Sequence, residues 1–298
     1  MIKQRARARR IGAARLLLTL WLGLAALAML TPIVLTATNS LMTQREIGFN
    51  YGLLGAITDG SAEGKPAFVN LKLLPDWLSL HSYAQVLILA PKFLQMFWNS
   101  AALAAPIVAG QTGVAALAAY ALAKLRFPGR DKLFAVYLMT MLMPFQVTLV
   151  PNYMVANALG LMDTEAAVIL PGVFGAFGVF LLRQFMSHIP SAYLEAARID
   201  GAGQWTSFRR IVLPLAKPGL AALIVLLFAD YWNMIEQPLI FLQDAAKQPL
   251  SLYLAYIERD SLGIGFAASV LYMTPMLLLF LYAESYFVEG VQLSGIKG

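Results

Sequence analysis

Six long stretches of this sequence, nearly free of charged side chains, most constrain what the chain can fold into. A helix rises about 1.5 Å per residue and the hydrocarbon layer of a bilayer is about 30 Å thick, so a spanning helix needs roughly 20 mostly uncharged residues. The six stretches are residues 16–38, 93–123, 133–162, 166–182, 218–235 with Asp230 as an interruption, and 264–283. They predict an all-α, polytopic membrane protein with six transmembrane helices.

The composition agrees with a membrane protein. Of the 298 residues, 59% are hydrophobic and only 13% are charged, and the mean hydropathy is +0.68. This is more apolar surface than one soluble core can bury, so lipid is the expected partner for the remainder. The absence of Cys excludes structural disulfides, thiolate metal sites and Cys nucleophiles.

The first stretch follows six basic residues, which is also how a secretory signal peptide begins. A signal peptide has an apolar region of about 7 to 15 residues, and 16–38 is longer than that. We therefore expect a cytoplasmic basic N-terminus at 1–15 and a first span at 16–38. Residues 39–92 are rich in Gly, Pro, Asp and Asn and too broken to cross a membrane, which predicts a folded extracytoplasmic loop. Residues 93–298 would form the remainder of a single membrane domain, which ends in a cytoplasmic tail at 289–298.

The distribution of Lys and Arg predicts the orientation of these spans. If the N-terminus is cytoplasmic, the cytoplasmic side carries sixteen Lys and Arg and the opposite side carries six. Cytoplasmic loops near the membrane are enriched in these residues. Both termini should therefore be cytoplasmic, and the net charge of +6 reports topology rather than a nucleic-acid partner.

The loop at 183–217 should be cytoplasmic and is longer than a simple connection requires. Pro190 suits a first helical turn, Ser191 suits an N-cap, and Gly201 can adopt the left-handed conformation that ends a helix. These residues predict a helix at 192–200, followed by a second helical piece from about Gln204.

One face of this predicted helix combines small and polar residues. Tyr193, Ala196, Ala197 and Asp200 follow an i, i+3, i+4, i+7 spacing and therefore share a side of the helix. Because isolated helices this short are marginal in water, the helix should be supported by a neighbour or a partner. The small residues would permit close docking.

The loop resembles the signature of the inner-membrane subunits of ABC importers, which reads EAA, three residues, G, nine residues, I, one residue, LP. Every position matches in this chain: Glu195, Ala196, Ala197, Gly201, Ile211, Leu213 and Pro214. The resemblance implies the type I importer permease fold with a cytoplasmic coupling helix that docks on an ATPase subunit. Together with Asp200, these residues would form the coupling site, with Glu195 facing basic groups of the ATPase and Gly201 allowing the turn.

The resemblance extends over about residues 80–298. Within the family, the chain is similar in particular to the second permease of maltose-type, carbohydrate-uptake importers. Two departures are visible: Met234 and Ile235 precede Glu236 where the family commonly has a carboxylate directly after Trp-Asn, and the 39–92 loop is longer than in the family. The matching segments are 98–100, 119–130, 143–144, 231–233, 238–239, 248–250, 287–290 and 295–298.

The resemblance to this family implies several partners. These are a second permease subunit, two ATPase subunits that bind ATP-Mg, and an extracytoplasmic solute-binding protein. The chain itself has no phosphate-binding loop motif and no nucleophile–base–acid set, so we expect no enzymatic activity and no cofactor of its own. The solute remains open between an oligosaccharide, a monosaccharide derivative, a polyol and a glycerol phosphate ester.

Polar residues near membrane depth are the candidates for contact with the solute. Asn99, Asp230, Trp232 and Asn233 could line a pathway, whereas hydrogen bonding between helices is an alternative role for the uncharged ones. The same alternatives apply to Gln111, and a solvated position at a span end is the alternative for Asp230, Glu236 and Glu284.

Other features concern the helices themselves. Gly172, Gly175 and Gly178 recur every three residues, which favours close helix packing. Five prolines, at positions 106, 144, 151, 171 and 275, could interrupt helices around a pathway.

Two other classes of protein are alternatives to an importer subunit. An ion-gradient-driven secondary transporter or channel subunit would usually carry carboxylates or polar relays in mid-span, and none is clearly there. A membrane-bound enzyme or receptor subunit would need a catalytic constellation or a sensing domain, which we do not find.

Overall fold

The structure is a computed structural model that describes residues 2–59, 70–255 and 262–295, with side chains at 15–51, 70–254 and 262–286. Within these ranges the regular structure is helical and contains no strand. In chain order the helices are α1 (Ile2–Asn39), α2 (Gln44–Asp59), α3 (His81–Ala84), α4 (Pro91–Lys124), α5 (Arg130–Met141), α6 (Phe145–Ala158), α7 (Glu165–Val173), α8 (Ala176–Ser187), α9 (Ala192–Ile199), α10 (Gln204–Ser207), α11 (Leu213–Leu215), α12 (Lys217–Trp232), α13 (Glu236–Phe241), α14 (Leu250–Ala255) and α15 (Leu262–Gly295). Two π-helical segments, Gln85–Leu89 and Phe208–Val212, follow α3 and α10 directly.

Four described segments are long and apolar enough to cross a membrane: Arg15–Asn39, Pro91–Lys124, Glu165–Ser187 and Leu262–Tyr286. Two further helix pairs qualify when each bent pair is taken as one span, which gives up to six. The first pair is α5 with α6, and the second is the helical stretch Gln204–Leu215 with α12. The all-α polytopic fold expected from the sequence is confirmed.

The third expected span, residues 133–162, is not one straight helix. Its two halves, α5 and α6, meet at an angle of 98°. Pro144 stands at the break in an extended conformation, with φ −61° and ψ 141°. Proline has no N–H to donate and restricts the residue before it, which explains why the helix ends there. The other four prolines lie within helices.

The chain divides into two compact units, where the sequence suggested a single membrane domain. One unit contains residues 1–91 and 257–271, and the other contains 92–256 and 272–298. The expected C-terminal tail at 289–298 is helical up to Gly295, and residues 296–298 lie outside the described residues.

In the first unit, the expected loop at 39–92 contains α2, α3 and an ion-pair cluster, while its residues 60–69 lie outside the described residues. Lys72 contacts Glu46 at 2.9 Å and also pairs with Asp76, whose backbone N–H donates to Glu46 Oε1 at 2.9 Å. Hydrogen bonds with Asp76 and Glu46 raise the pKa of Lys72. These contacts hold the chain around residue 72 against α2.

In the second unit, glycines allow close contact between α4 and the α7–α8 span. A Cβ atom at Gly172 would lie 2.7 Å from the side chain of Ile107. A Cβ atom at Gly178 would lie 2.9 Å from the Cβ of Ala115, and Gly175 is equally crowded. The packing role predicted for these three glycines is confirmed.

Helix α12 approaches α8 in the same way. A Cβ atom at Gly219 would lie 2.5 Å from Phe185 Cγ. Further along α12, Leu223 is fully buried in a core that also contains Leu182 of α8. Helices α8 and α12 are therefore tightly packed near the point where α12 begins.

Candidate functional site

Two regions of the second unit carry the candidate functional residues. The first is residues 188–216, which we call the 188–216 segment and which includes α9, α10 and α11. The second is a cavity of about 1220 Å³. Helix α12 begins directly after the segment, and its other end contributes Asp230 to the cavity.

Helix α9 begins after Ser191 without a side-chain cap. The Ser191 carbonyl accepts hydrogen bonds from the backbone N–H groups of Leu194 (2.9 Å) and Glu195 (3.0 Å). The backbone of Ser191 is itself helical, with φ −63° and ψ −25°, and its hydroxyl makes no cap hydrogen bond. A capping side chain requires a non-helical backbone, so the predicted N-cap role of Ser191 is wrong.

Helix α9 ends at Ile199, one residue before its predicted end, and Gly201 adopts the left-handed conformation that the sequence predicted. Gly201 has φ +80°, and its N–H donates to Arg198 O at 3.0 Å. The next N–H, of Ala202, donates to Ala197 O at 2.8 Å. This pair of bonds is a Schellman motif, in which glycine avoids the steric cost of a positive φ. The turn between α9 and α10 is therefore fixed by local hydrogen bonds.

The end of α4 holds the 188–216 segment in place. The Tyr120 hydroxyl donates to the backbone carbonyl of Gln204 (3.2 Å) or to its Oε1 (2.8 Å). Lys124 Nζ donates to Ile189 O at 2.5 Å, and the Tyr120 ring packs on Phe208 with centroids 5.1 Å apart. These anchors join positions more than sixty residues apart, so no local pattern in the sequence indicates them.

The outer face of the segment exposes large apolar side chains. Ile199 is 87% exposed and Trp205 is 63% exposed. Tyr193, in the first turn of α9, is exposed as well. The charged groups of Glu195 and Asp200 are exposed as well. This surface combines apolar area with carboxylates.

The predicted small-residue face of α9 is divided between two directions. Ala196 is exposed, but Ala197 is only 8% exposed and turns toward the interior together with Leu194. Ala197 therefore supports the helix from within and does not belong to its outer face. Further along the segment, Pro214 is exposed and Ile211 and Leu213 are half-buried.

Arg183 lies inside α8 and not in the loop where the sequence suggested it. Its guanidinium carbon is 3.7 Å from the centroid of the Phe134 ring, a cation–π geometry. The span continues to Ser187, five residues beyond its predicted end.

The cavity lies beside the break between α5 and α6. Thr140 and Phe145, which flank the break, both line it. Interrupted backbone at membrane depth is tolerated where it is buried in protein or lines a water-filled space, so the position of the break is consistent with a hydrated cavity. The polar lining includes Thr140, Thr148, Asn152, Asp230, Asn233 and Glu236.

The carboxylates and amides of the cavity have few partners. Glu236 accepts from Gln146 Nε2, which is 3.1 Å from each of its oxygens. Asn233 donates to Ala229 O at 2.7 Å, and its Oδ1 accepts from the Tyr272 hydroxyl at 2.9 Å. Two of the four predicted pathway residues, Asp230 and Asn233, thus line the cavity.

The other two predicted pathway residues lie elsewhere. Trp232 is only 2% exposed, its Nε1 donates to Tyr272 O at 3.0 Å, and its ring stacks on Phe228 with centroids 5.1 Å apart. Asn99 donates to Ala246 O at 2.7 Å and to Gln248 O at 3.1 Å. Trp232 therefore makes the hydrogen bond between helices that was its alternative role, whereas Asn99 anchors the loop between α13 and α14.

No group of three His, Asp or Glu side chains in the described residues is arranged to hold a metal ion. Interrupted candidate membrane spans beside a cavity that carries carboxylates, amides and hydroxyls are typical of a polytopic transport component. The chain belongs to the family of binding-protein-dependent transport system inner membrane components, whose family model matches residues 111–287. It is a permease subunit of an ATP-driven importer, and this family is a transport family and not an enzyme family.

Curated relatives support this assignment over an ion-gradient-driven transporter. The arabinooligosaccharides transport system permease protein AraQ of Halalkalibacterium halodurans is 31% identical over 227 residues, which cover 75% of this chain and 81% of AraQ. The sn-glycerol-3-phosphate transport system permease protein UgpE of Brucella abortus is 33% identical over 202 residues, covering 66% and 72% of the two chains. UgpE of Pectobacterium atrosepticum is 37% identical over 204 residues, with coverage of 66% and 72%.

A solved structure has the same fold. A chain from the crystal structure of a bacterial ABC transporter involved in the import of the acidic polysaccharide alginate superposes with a TM-score of 0.75 and 23% identity. The superposition covers 94% of this chain and 98% of that chain. The likeness confirms the importer permease fold.

Proposed function

We propose that this chain forms one half of a pathway for a carbohydrate or a related solute, together with a second permease subunit. The names of the relatives support a solute of this kind, since AraQ is named for arabinooligosaccharides and UgpE for sn-glycerol-3-phosphate. The cavity, with its hydroxyl, amide and carboxylate lining, would form one wall of that pathway.

The proposed complex also contains two ATPase subunits, which bind ATP-Mg, and an extracytoplasmic solute-binding protein. The family is described as binding-protein-dependent. A chain of a bacterial alginate ABC transporter, crystallised with an alginate pentasaccharide-bound periplasmic protein, matches 80% of this chain with a TM-score of 0.53. We expect no cofactor and no catalytic residue on this chain.

The proposed location is the bacterial inner membrane, with both termini in the cytoplasm. This orientation places sixteen Lys and Arg residues on the cytoplasmic side and six on the other. The 188–216 segment is then cytoplasmic and accessible to an ATPase subunit.

The observation that carries the coupling proposal is the exposed face of this segment. Exposed apolar side chains in a cytoplasmic segment have no lipid to cover them, so Ile199 and Trp205, which expose most of their area, suit a contact with another protein. Glu195 and Asp200 would add charge complementarity with basic groups of the ATPase. Ala196 allows close approach, and the Schellman turn at Gly201 holds the face in one shape.

Helix α12 provides the route from the docking face to the cavity. It begins at Lys217, directly after the segment that contains Ile211, Leu213 and Pro214, and it carries Asp230 near its other end. ATP binding can shift the permease between states only through contacts that differ between those states. We propose that the contacts of α9 with the ATPase are of this kind.

Reversal of the charge at Glu195 tests the proposal. Glu195→Lys should reduce ATP-dependent uptake at least about tenfold, because a like charge at a docking face costs binding energy, while insertion into the membrane is unchanged. The measurements are uptake in cells, co-purification of the ATPase in mild detergent and the amount of chain in the membrane.

Glu165→Lys serves as the matched control, since Glu165 is also an exposed helical glutamate but lies at the start of α7. It should retain both uptake and ATPase recovery. Normal uptake and normal ATPase recovery in Glu195→Lys would refute the coupling assignment.

A further inference from the structure

The charged groups of the cavity all have the same sign. Asp230 and Glu236 line it, and none of its described lining residues is Lys, Arg or His. Neither carboxylate takes part in an ion pair within the described part of the chain. The amide of Gln146 is a neutral partner of Glu236 and leaves its negative charge uncompensated.

The rest of the lining suits a solute rich in hydroxyl groups. Tyr137, Thr140 and Asn152 offer hydroxyls and an amide, which can both donate and accept hydrogen bonds. Phe174 is 70% exposed and presents an apolar ring to the cavity region. Such a mixture of polar groups and an aromatic face can contact a sugar without requiring a charge on it.

We infer that this cavity admits uncharged or positively charged solutes and disfavours anions such as sugar phosphates and acidic saccharides. The inference rests on the proposed role of the cavity as one wall of the solute pathway. The inference distinguishes between the solutes named for similar proteins. Arabinooligosaccharides are uncharged and would be admitted, whereas sn-glycerol-3-phosphate and alginate are anions and would be disfavoured.

The physical reason is the field of two unpaired carboxylates inside a cleft. A cleft lined by one sign of charge concentrates ions of the opposite sign and raises their association rates by about 10-fold to 1000-fold, with the reverse effect on ions of the same sign. A specific pathway also needs a feature that rejects the wrong solute, and unpaired like charge is such a feature.

The natural absence of Cys from the chain allows a direct test. Thr148→Cys places a single thiol in the cavity, and Thr164→Cys places one at an exposed position outside it. In the full complex, held in lipid nanodiscs, each thiol is reacted with cationic trimethylammonioethyl methanethiosulfonate and with anionic sulfonatoethyl methanethiosulfonate. The mass of the chain shows how much of it has reacted at each time. The quantity derived is the rate of reaction with the cationic reagent divided by the rate with the anionic reagent.

At Thr148→Cys this ratio should exceed that of free mercaptoethanol about tenfold. Adding Asp230→Asn and Glu236→Gln should remove most of the excess while changing the ratio at Thr164→Cys less than about twofold. A ratio at Thr148→Cys equal to that of the free thiol, or one that the two neutral substitutions leave unchanged, would overturn the inference.

The thiol experiment gives its result whether or not ATP drives uptake. Loss of the cationic preference would therefore overturn the charge selectivity and leave the importer function intact. Conversely, an intact preference in a complex that neither recovers an ATPase nor takes up solute with ATP would support the charge selectivity and count against the proposed coupling.

Discussion

The 188–216 segment and the cavity differ in the side chains that they expose, although both lie in the second unit. The segment presents Ile199 and Trp205 to the outside and is held by hydrogen bonds from Tyr120. The cavity presents hydroxyls, amides and the carboxylates of Asp230 and Glu236. Exposed apolar area suits a stable contact with another protein, whereas a polar lining suits a solute that must leave again.

The proposed sites of partner recognition and of solute recognition therefore lie near opposite ends of α12. Its first residues follow the segment, and its last turn contributes to the cavity. Substitutions on the segment should therefore change assembly and coupling, and substitutions in the cavity should change selectivity. A substitution in the packing of α12 itself should affect both.

Gly219→Val should have the largest effect. It disturbs the packing of α12, which connects the two regions, so both should change. The new side chain would meet the Phe185 ring, since a Cβ atom already lies 2.5 Å from Phe185 Cγ. Overpacking of this kind costs about 1–3 kcal/mol or more. We expect a lower midpoint of thermal unfolding and a loss of uptake. The preference of the thiol at Thr148→Cys for the cationic reagent should also disappear.

Gly113→Val on α4 is the matched control, since no atom lies within 4 Å of a Cβ built there. It should leave the thermal midpoint nearly unchanged. An equal midpoint for Gly219→Val and the unaltered chain would show that α8 and α12 can separate at this point without cost.

Tyr120→Phe should affect the 188–216 segment and leave the cavity unchanged. It removes the hydroxyl that bonds to Gln204, and a buried hydrogen bond contributes about 1 kcal/mol. The backbone amides of Ser207 and Phe208, which donate to carbonyls of residues 203–205, should exchange with deuterium faster. Uptake should fall, while the thiol-rate ratio at Thr148→Cys is retained. Tyr282→Phe, at a highly exposed tyrosine, should change none of these quantities.

A change in amide exchange spread over the whole second unit in Tyr120→Phe would contradict this separation. It would mean that the hydroxyl stabilises the packing of α4 generally and not the 188–216 segment.

Asp163→Asn should have the smallest effect, because Asp163 belongs to neither region. The pKa of its carboxyl is lowered by the backbone N–H of Asp244, which lies 3.1 Å away, and by Lys247. The carboxylate therefore stabilises the fold above its unfolded-state pKa near 3.8, and this contribution disappears as the pH falls through the lower folded-state value.

The measurement is deuterium exchange of the backbone around Asp244 in both proteins. Asp163→Asn should exchange faster at pH 7, and the difference should vanish at a pH below the folded-state pKa. Asparagine is the appropriate replacement because Asp163 has φ +60°, which asparagine tolerates. A difference that persists at low pH would show that the carboxylate charge is not the cause.

The sequence predicted the segment better than the cavity because the segment is local. Gly201 and the residues around it are close in the chain, so the turn and both helices could be inferred from residue types. The errors there have local causes too: Ser191 is already helical, and Ala197 faces inward because α9 needs one buried side.

The cavity is assembled from helices far apart in the sequence, and no local pattern indicates which residues meet. Its lining from α5 and α6 was missed altogether. Part of it could have been inferred: Asp230 and Asn233 are three residues apart and share a side of α12, whereas Trp232 points elsewhere. Among five prolines, only tertiary structure distinguishes Pro144 as the one that breaks a span.

The position of α12 between the two regions has a mechanical consequence. From Lys217 to Asp230 the helix is about 20 Å long. If it pivots as a rigid lever about its first turn, a rotation of about 10° carries the Asp230 end through roughly 3 Å, since displacement grows with distance from the pivot. A small movement imposed by an ATPase would thus become, at the cavity, a displacement as large as the diameter of a water molecule.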